Sequence, residues 1–265
     1  MRVRIIFFLK NRGAYVPFHH QYLLAQMIKG ILMIGGDASF LTWDKFNFSA
    51  LKGQTKASRK GLHFFSSRVT LVVSSMHDDF INYFLASLFK QSKVTVGGLT
   101  LVPEKVEKES IELVKEHDTF ICLSPIILHK PILGNGESIR FINPESDEFS
   151  DKLYDITMQM LENIGGYSSE DMVRFNKFQL VPDSEYLEKL LANNKKYCRV
   201  FSVYDQDIKY EVRGYTFPFE LYAEPEVKQQ IFIHGLGELP HKGFGMIDLA
   251  NQDPNSRTEE YPIPG

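Results

Sequence analysis

The hydrophobic period switches repeatedly along the first hundred or so residues, and that alternation limits the fold more than any other feature. Arg2–Leu9 alternates, with Val3, Ile5, Phe7 and Leu9 on one side, which predicts a strand. Over about His19–Met33 the apolar residues Leu23, Leu24, Met27, Ile28, Ile31 and Leu32 fall in one stripe of a helix, with Gly35-Gly36-Asp37 as its stop. Phe46–Leu51 and His63–Val73 return to strand patterning. Ser75-Met76-His77-Asp78 is a capping-box-like start for a second helix carrying Phe80, Ile81, Phe84, Leu85, Leu88 and Phe89. Lys93–Pro103 reads as one more strand. The order β-α-β-β-α-β predicts a ferredoxin-like unit with both helices on one sheet face.

The second half repeats the plan with additions. Glu104–Asp118 is charged and weakly patterned, so the domain junction is set at its start. Thr119–Leu128 is a strand broken by Pro125, which must sit at an edge or a bulge. Gly134-Asn135-Gly136 predicts a turn. A helix follows over about Ser146–Asn163, with Leu153, Ile156, Met160 and Leu161 inward and Gly165-Gly166 as its stop. Phe175–Val181, Tyr197–Tyr204 and Lys209–Ala223 read as strands, Glu185–Leu191 and Glu224–Ile233 as helices. The expected domains are residues 1–104, residues 105–250 and a flexible tail over 251–265, with three prolines and nothing to bury.

With 43% hydrophobic and 24% charged residues, the 265-residue chain has the composition of a soluble globular protein. No apolar run approaches the roughly 20 residues of a membrane span, and MRVRIIFFLKNRG recharges too soon for a signal peptide, so the expected location is cytoplasmic. Cys122 and Cys198 lie far apart in apolar runs without zinc spacing. A net charge of −3 argues against indiscriminate coating of nucleic acid but allows a local basic face. Lys52, Lys56, Arg59 and Lys60 form such a cluster, with no acidic residue among them. On the first helix, His19, Tyr22, Gln26 and Lys29 share the side opposite the apolar stripe. His20 falls near the stripe and reads as a packed, hydrogen-bonded histidine.

His234–Leu249, HGLGELPHKGFGMIDL, joins the last helix to the last strand. Gly235/Gly237 and Gly243/Gly245 form two pairs around Pro240, His241 and Lys242. Glycines permit positive φ and close backbone approach. A nucleotide fingerprint would instead follow a first strand and open a helix. Together with VPFHHQYLLAQMIKGIL near the N-terminus and FICLSPIIL in the middle, this stretch resembles the CRISPR repeat-RNA processing endoribonucleases, the sixth Cas family of the RAMP superfamily. The resemblance spans nearly the whole chain.

The resemblance implies an α+β fold of two tandem ferredoxin-like (RAMP/RRM-like) domains with a C-terminal glycine-rich loop. It also implies metal-independent cleavage of CRISPR repeat RNA in precursor crRNA, with no cofactor. Effector-complex subunits and a second copy of the chain are further candidate partners; a membrane is not. Cleavage of this kind needs a base for the 2′-OH, an acid for the 5′-oxygen and a cation near the phosphorane. The family often carries a tyrosine or lysine on the first helix, matched here by Lys29. The histidine it often carries in the following loop is missing, since the aligned residues are Phe40-Leu41-Thr42-Trp43-Asp44-Lys45. Three readings stay open. Lysines carry the reaction through Lys29, Lys45 and Lys52; or His19, beside Tyr22, serves from the helix start; or the chain binds repeat RNA without cutting it efficiently. The RNA-binding expectation covers Lys52, Lys56, Arg59, Lys60, Lys242 and the glycines Gly235, Gly237, Gly243 and Gly245.

Overall fold

The computed structural model describes residues 1–111, 113, 117–129, 140–205 and 208–263; the expected turn at Gly134-Asn135-Gly136 lies outside the described residues. Two compact units emerge: residues 1–110 with 241–243 and 253–265, and residues 111–240 with 244–252.

In the first unit, β1 (Arg2–Leu9) buries Val3, Ile5, Phe7 and Leu9 as its alternation requires. β2 (Tyr15–Val16) is short, and α1 (Gln21–Gly35) buries Leu24, Met27, Ile28, Ile31 and Leu32 against the sheet. Next come β3 (Phe46–Phe48), β4 (Thr55–Ser58), β5 (Gly61–Phe64) and β6 (Arg68–Ser75). α2 (Asp78–Phe89), β7 (Val94–Val96) and β8 (Leu99–Glu109) complete the unit's N-terminal part. The main sheet runs β8-β1-β6-β3, all antiparallel, which is the ferredoxin-like order. α1 meets α2 closely at its end: the Tyr83 hydroxyl donates to the Leu32 carbonyl at 2.8 Å.

Two sequence expectations change here. The basic segment between Leu51 and His63 is not a loop, because β4 and β5 pair as a hairpin with β2 on the far side of β5. The strand expected to stop at Pro103 continues to Glu109, since Pro103 sits where the β1–β8 register shifts and costs the ladder little. The junction therefore falls beyond residue 104.

The second unit contains β9 (His117–Cys122), β10 (Ile126–Ile127), α3 (Asp147–Ile164), α4 (Ser169–Arg174) and β11 (Phe178–Pro182). It continues with α5 (Ser184–Ala192), β12 (Cys198–Asp205), β13 (Ile208–Tyr215), β14 (Phe219–Ala223), α6 (Pro225–His234) and β15 (Ile247–Leu249). Its main sheet runs β11-β14-β9-β15 and a smaller one β10-β13-β12. The expected strand Lys209–Ala223 is two strands in different sheets, separated at Pro218. α3 buries Phe149, Leu153, Thr157, Met158 and Leu161, so Ile156 and Met160 lie at the edge of its stripe rather than inside it. The buried ion pair Lys228–Asp118, 2.6 Å long, ties α6 to β9.

Residues 251–265 were expected to be a flexible tail. Instead β16 (Thr258–Glu260) pairs antiparallel with the outer edge of β8, and the Tyr261 hydroxyl donates to Asn82 at 2.7 Å. Edge strands leave unpaired backbone groups, and a strand supplied from the C-terminus covers this one.

Candidate functional site

The basic cluster owes its shape to the hairpin. Ser58 faces Gly61 in the β4–β5 register, which leaves Arg59 and Lys60 alone at a two-residue tip. Gly61 is at φ +140, and a Cβ there would run into the Val16 carbonyl, so β5 can close on β2 only with glycine. Lys56, Arg59 and Lys60 are exposed, and Lys52 is half-buried where the chain enters the hairpin. The Lys52 backbone is fixed at both ends, its N–H donating to the Thr70 carbonyl and its carbonyl accepting from the Thr70 N–H, each at 2.9 Å.

α1 begins beside that point. His20 is 2% exposed, and its Nε2 accepts the Leu51 N–H at 3.3 Å while its Nδ1 faces the Pro17 carbonyl at 3.2 Å. That pairing selects the tautomer protonated on Nδ1. Burial is the main cause that pushes the imidazole below its ordinary pKa, and this keeps it uncharged at neutral pH. His20 is thus the packed histidine expected from the sequence, and its work is to hold the start of α1 against the Leu51–Lys52 backbone. His19 and Tyr22, on either side of it, are half-buried at the same end.

The expected catalytic set does not assemble as one group. Phe46 pairs with Ser75 and Lys52 with Thr70, so the two ends of this segment are separated by five residues of β6. At about 3.4 Å per residue that is roughly 17 Å. Lys45, exposed just before β3, therefore lies at the far end from Lys52, and both cannot hold one phosphate. Its carbonyl accepts from Ser75 Oγ at 2.7 Å. Trp43 nearby packs edge-on to His77 at 4.7 Å and stacks on Phe80, which accounts for the loop's aromatic residues by packing. Lys29 is exposed two turns along α1, a rise of roughly 10 Å from Tyr22.

Electrostatics distinguish the same end. No acidic residue stands in the first turn of α1, and its N-cap makes no side-chain hydrogen bond. The other five described α-helices each carry at least one carboxylate there. A helix start has a partial positive charge of about half a unit, which those carboxylates offset and α1 leaves available to an anion. Charge is also segregated along the chain. Residues 1–77 carry eleven Lys and Arg against two Asp, and the remainder nineteen against thirty-one acidic residues. The whole-chain charge of −3 conceals this, and counting by segment would have found it.

The glycine-rich stretch behaves differently from expectation. Gly235, Gly243 and Gly245 are buried. A Cβ on Gly237 would strike the Ile127 carbonyl, one on Gly245 the Leu236 carbonyl, and one on Gly243 the Phe48 ring. Glu238 N–H donates to Ile127 at 2.8 Å and Gly245 N–H to Pro125 at 2.7 Å, so the loop's backbone is engaged with the chain itself. Close packing explains these glycines, and they offer no open platform. What this stretch leaves half-exposed is His234, Gly237, Glu238 and the short turn Pro240–Lys242, where Lys242 lies.

Among the described residues no group of three His, Cys, Asp or Glu side chains could hold a metal ion, and no helix is long and apolar enough to cross a membrane. A family model described as CRISPR associated protein Cas6, C-terminal, matches residues 104–249. The CRISPR-associated endoribonuclease Cas6 1 of Methanocaldococcus jannaschii is 21% identical over 254 residues, covering 92% of this chain and 91% of the relative. A solved structure described as a RAMP protein binding different RNA substrates superposes with a TM-score of 0.74 at 19% identity, covering 95% of this chain and 100% of that one. The product of a Cas6-related gene from Pyrococcus furiosus gives 0.75 at 18% identity, covering 96% and 99%. At such identities the likeness carries the fold, tandem ferredoxin-like domains.

Proposed function

The chain belongs to the Cas6 family of CRISPR-associated proteins, and from that premise we propose that it binds CRISPR repeat RNA and cuts precursor crRNA without a metal ion. One observation supports the site assignment: the His20–Leu51 hydrogen bond sets the acid-free start of α1, where His19 and Tyr22 lie in sequence, beside the backbone that leads through Lys52 into the basic hairpin. His19 takes the proton from the 2′-OH, and the freed oxygen attacks the adjacent phosphorus. The bond to the 5′-oxygen breaks, and that oxygen takes a proton from Tyr22. Lys52, with the positive end of α1, stabilises the charge on the phosphorane's oxygens. The products are a 2′,3′-cyclic phosphate and a 5′-OH, and DNA is inert because it lacks the nucleophile. Lys29 stands further along the same helix face and serves as a phosphate contact. Lys45 is left out of the site.

A second reading has an observation of its own. The loop over Phe40–Lys45 contains no histidine, and its aromatic residues pack internally. On that reading the chain holds repeat RNA within an effector complex and cuts it poorly. A further partner, whether a complex subunit or a second copy, would find exposed apolar side chains at Met33, Ile34 and Leu41, around the last turn of α1 and just beyond it. Incubation with the host's repeat RNA in EDTA separates the two readings. Cyclic-phosphate and 5′-OH ends, with no cut when the nucleotide before the cleavage site is 2′-deoxy, support the nuclease. Intact RNA bound tightly supports the binding subunit.

A further inference from the structure

The small sheet β2-β5-β4 has one face against the core and one in solvent. Val16 and Phe64 point inward and are fully buried. Tyr15 and Lys56 both pair with His63 across the strands, and Phe65 stands two residues beyond it, so these four side chains share the outer face. On that face Tyr15 is 40% exposed and Phe65 42%, with Phe18 40% exposed just past β2. Single exposed aromatic residues are ordinary, but several together on a fixed sheet leave apolar area that folding did not cover. The His63 ring is immobilised by two hydrogen bonds, Nδ1 on the Gly13 carbonyl at 2.8 Å and Nε2 on Ser58 Oγ at 2.9 Å. Tyr15 packs on it at 5.3 Å, and the Lys56 ammonium lies 5.5 Å from the centre of the Phe65 ring.

Charge selects the occupant. From Lys45 to His77 the sequence has no Asp or Glu, while Lys52, Lys56, Arg59 and Lys60 fall within it; Arg68 is paired with Glu104 and does not count among them. A surface that alternates flat rings with cations, on strands that carry no carboxylate of their own, fits a polyanion that also presents flat apolar faces. Unpaired RNA has both; a double helix keeps its base faces stacked on one another and out of reach of a protein ring. Diagonal neighbours on a sheet lie about 7–8 Å apart, which gives Tyr15 and Phe65 room for one base each.

Resting on the RNA-processing reading above, we propose that this outer face is a stacking site for two neighbouring unpaired bases of the RNA. Tyr15 and Phe65 are the platforms, and Lys56, Arg59 and Lys60 hold the flanking phosphates. The chain then selects RNA that is single-stranded where it crosses the hairpin.

The test compares wild type with Tyr15→Leu, Phe65→Leu and the double variant, which keep apolar bulk and remove the ring. Each is titrated with a short RNA lacking self-complementarity, with the same RNA made abasic at successive positions, and with a blunt RNA duplex. Removing each ring should weaken binding of the unpaired RNA by roughly 5- to 150-fold and leave duplex and abasic binding nearly unchanged. A 2-aminopurine base in the unpaired RNA should be quenched by wild type and less so by the variants, a readout that needs no folded mutant to judge the wild-type arm. Unaltered affinity for unpaired RNA, equal weakening on duplex, or absence of quenching in wild type each overturns the stacking site. If repeat RNA is still cut in those cases, only this inference fails. If wild type binds neither RNA, the processing reading fails with it.

Discussion

β8-β1-β6-β3 in the first unit and β15-β9-β14-β11 in the second are the same antiparallel order, linked by α1 and α2 in the first and by α3 to α6 in the second. The helices that follow the first strand of each differ at their starts. α1 opens with Gln21 and Tyr22 and no carboxylate, beside a hairpin that adds Lys56, Arg59 and Lys60. α3 opens with Asp147 and Glu148, and Glu148 is already paired with Arg140 at 3.1 Å. One unit leaves its helix start to an anion from outside; the other satisfies it from within. Topology is shared and chemistry is not, so function here follows from side chains placed on a common scaffold.

The greatest loss should come from a glycine of the second unit. If its glycine-rich stretch is packing and not an RNA platform, Gly245→Val should cost roughly 3 kcal/mol of stability, from positive φ and the Leu236 carbonyl together. Thermal unfolding measures it, and a stable variant with weakened RNA binding would restore the platform role. In the first unit, the triple change of Lys56, Arg59 and Lys60 to alanine should flatten the salt dependence of RNA binding. For every phosphate no longer neutralised, the log–log slope on single-stranded RNA should fall by about 0.7. The matching change of Lys195 and Lys196, exposed in the second unit, should leave the slope alone; equal effects would erase the asymmetry between the units.

The smallest effect concerns His20. Its folded pKa lies below the ordinary 6.5, so the unfolded chain binds the proton more readily. The stability it contributes is therefore complete above about pH 6.5 and is lost as pH falls from there through the folded value. In His20→Gln, urea midpoints should be lower at neutral pH and should fall less between pH 7 and pH 5 than in wild type. An unchanged slope would mean that His20 is not the buried, uncharged anchor of α1.

Much of the fold was legible because long apolar patterns write it directly. Arg2–Leu9 and the α1 stripe have clear periods, and tertiary packing agreed with them. The hairpin was not legible: Thr55–Lys60 is polar, and Arg59-Lys60 lacks the Asn-Gly or Asp-Gly signal of a tight turn. β16 escaped for a different reason, since Thr258–Glu260 becomes a strand only because β8 offers it an edge. The candidate site was half legible. Residue types singled out His19, Tyr22 and Lys52, but what sets the start of α1 beside the Leu51–Lys52 backbone is the His20–Leu51 hydrogen bond. Lys45 and Lys52 look close in sequence, and only the β3–β6 register separates them. Tyr15 and Phe65 gave no signal, because which face of a short strand is wet is a tertiary fact.

We place the cut at the hairpin end of α1 and not at the other end of the β3 segment. Single-turnover cleavage of repeat RNA in EDTA by Lys52→Ala and Lys45→Ala, measured side by side, tests it most directly. A loss of roughly 10²- to 10⁴-fold is expected for Lys52→Ala, the range for removing one group that acts in the transition state, and a rate within a few-fold of wild type for Lys45→Ala. The reverse order, with Lys45→Ala inactive and Lys52→Ala at the wild-type rate, would contradict it.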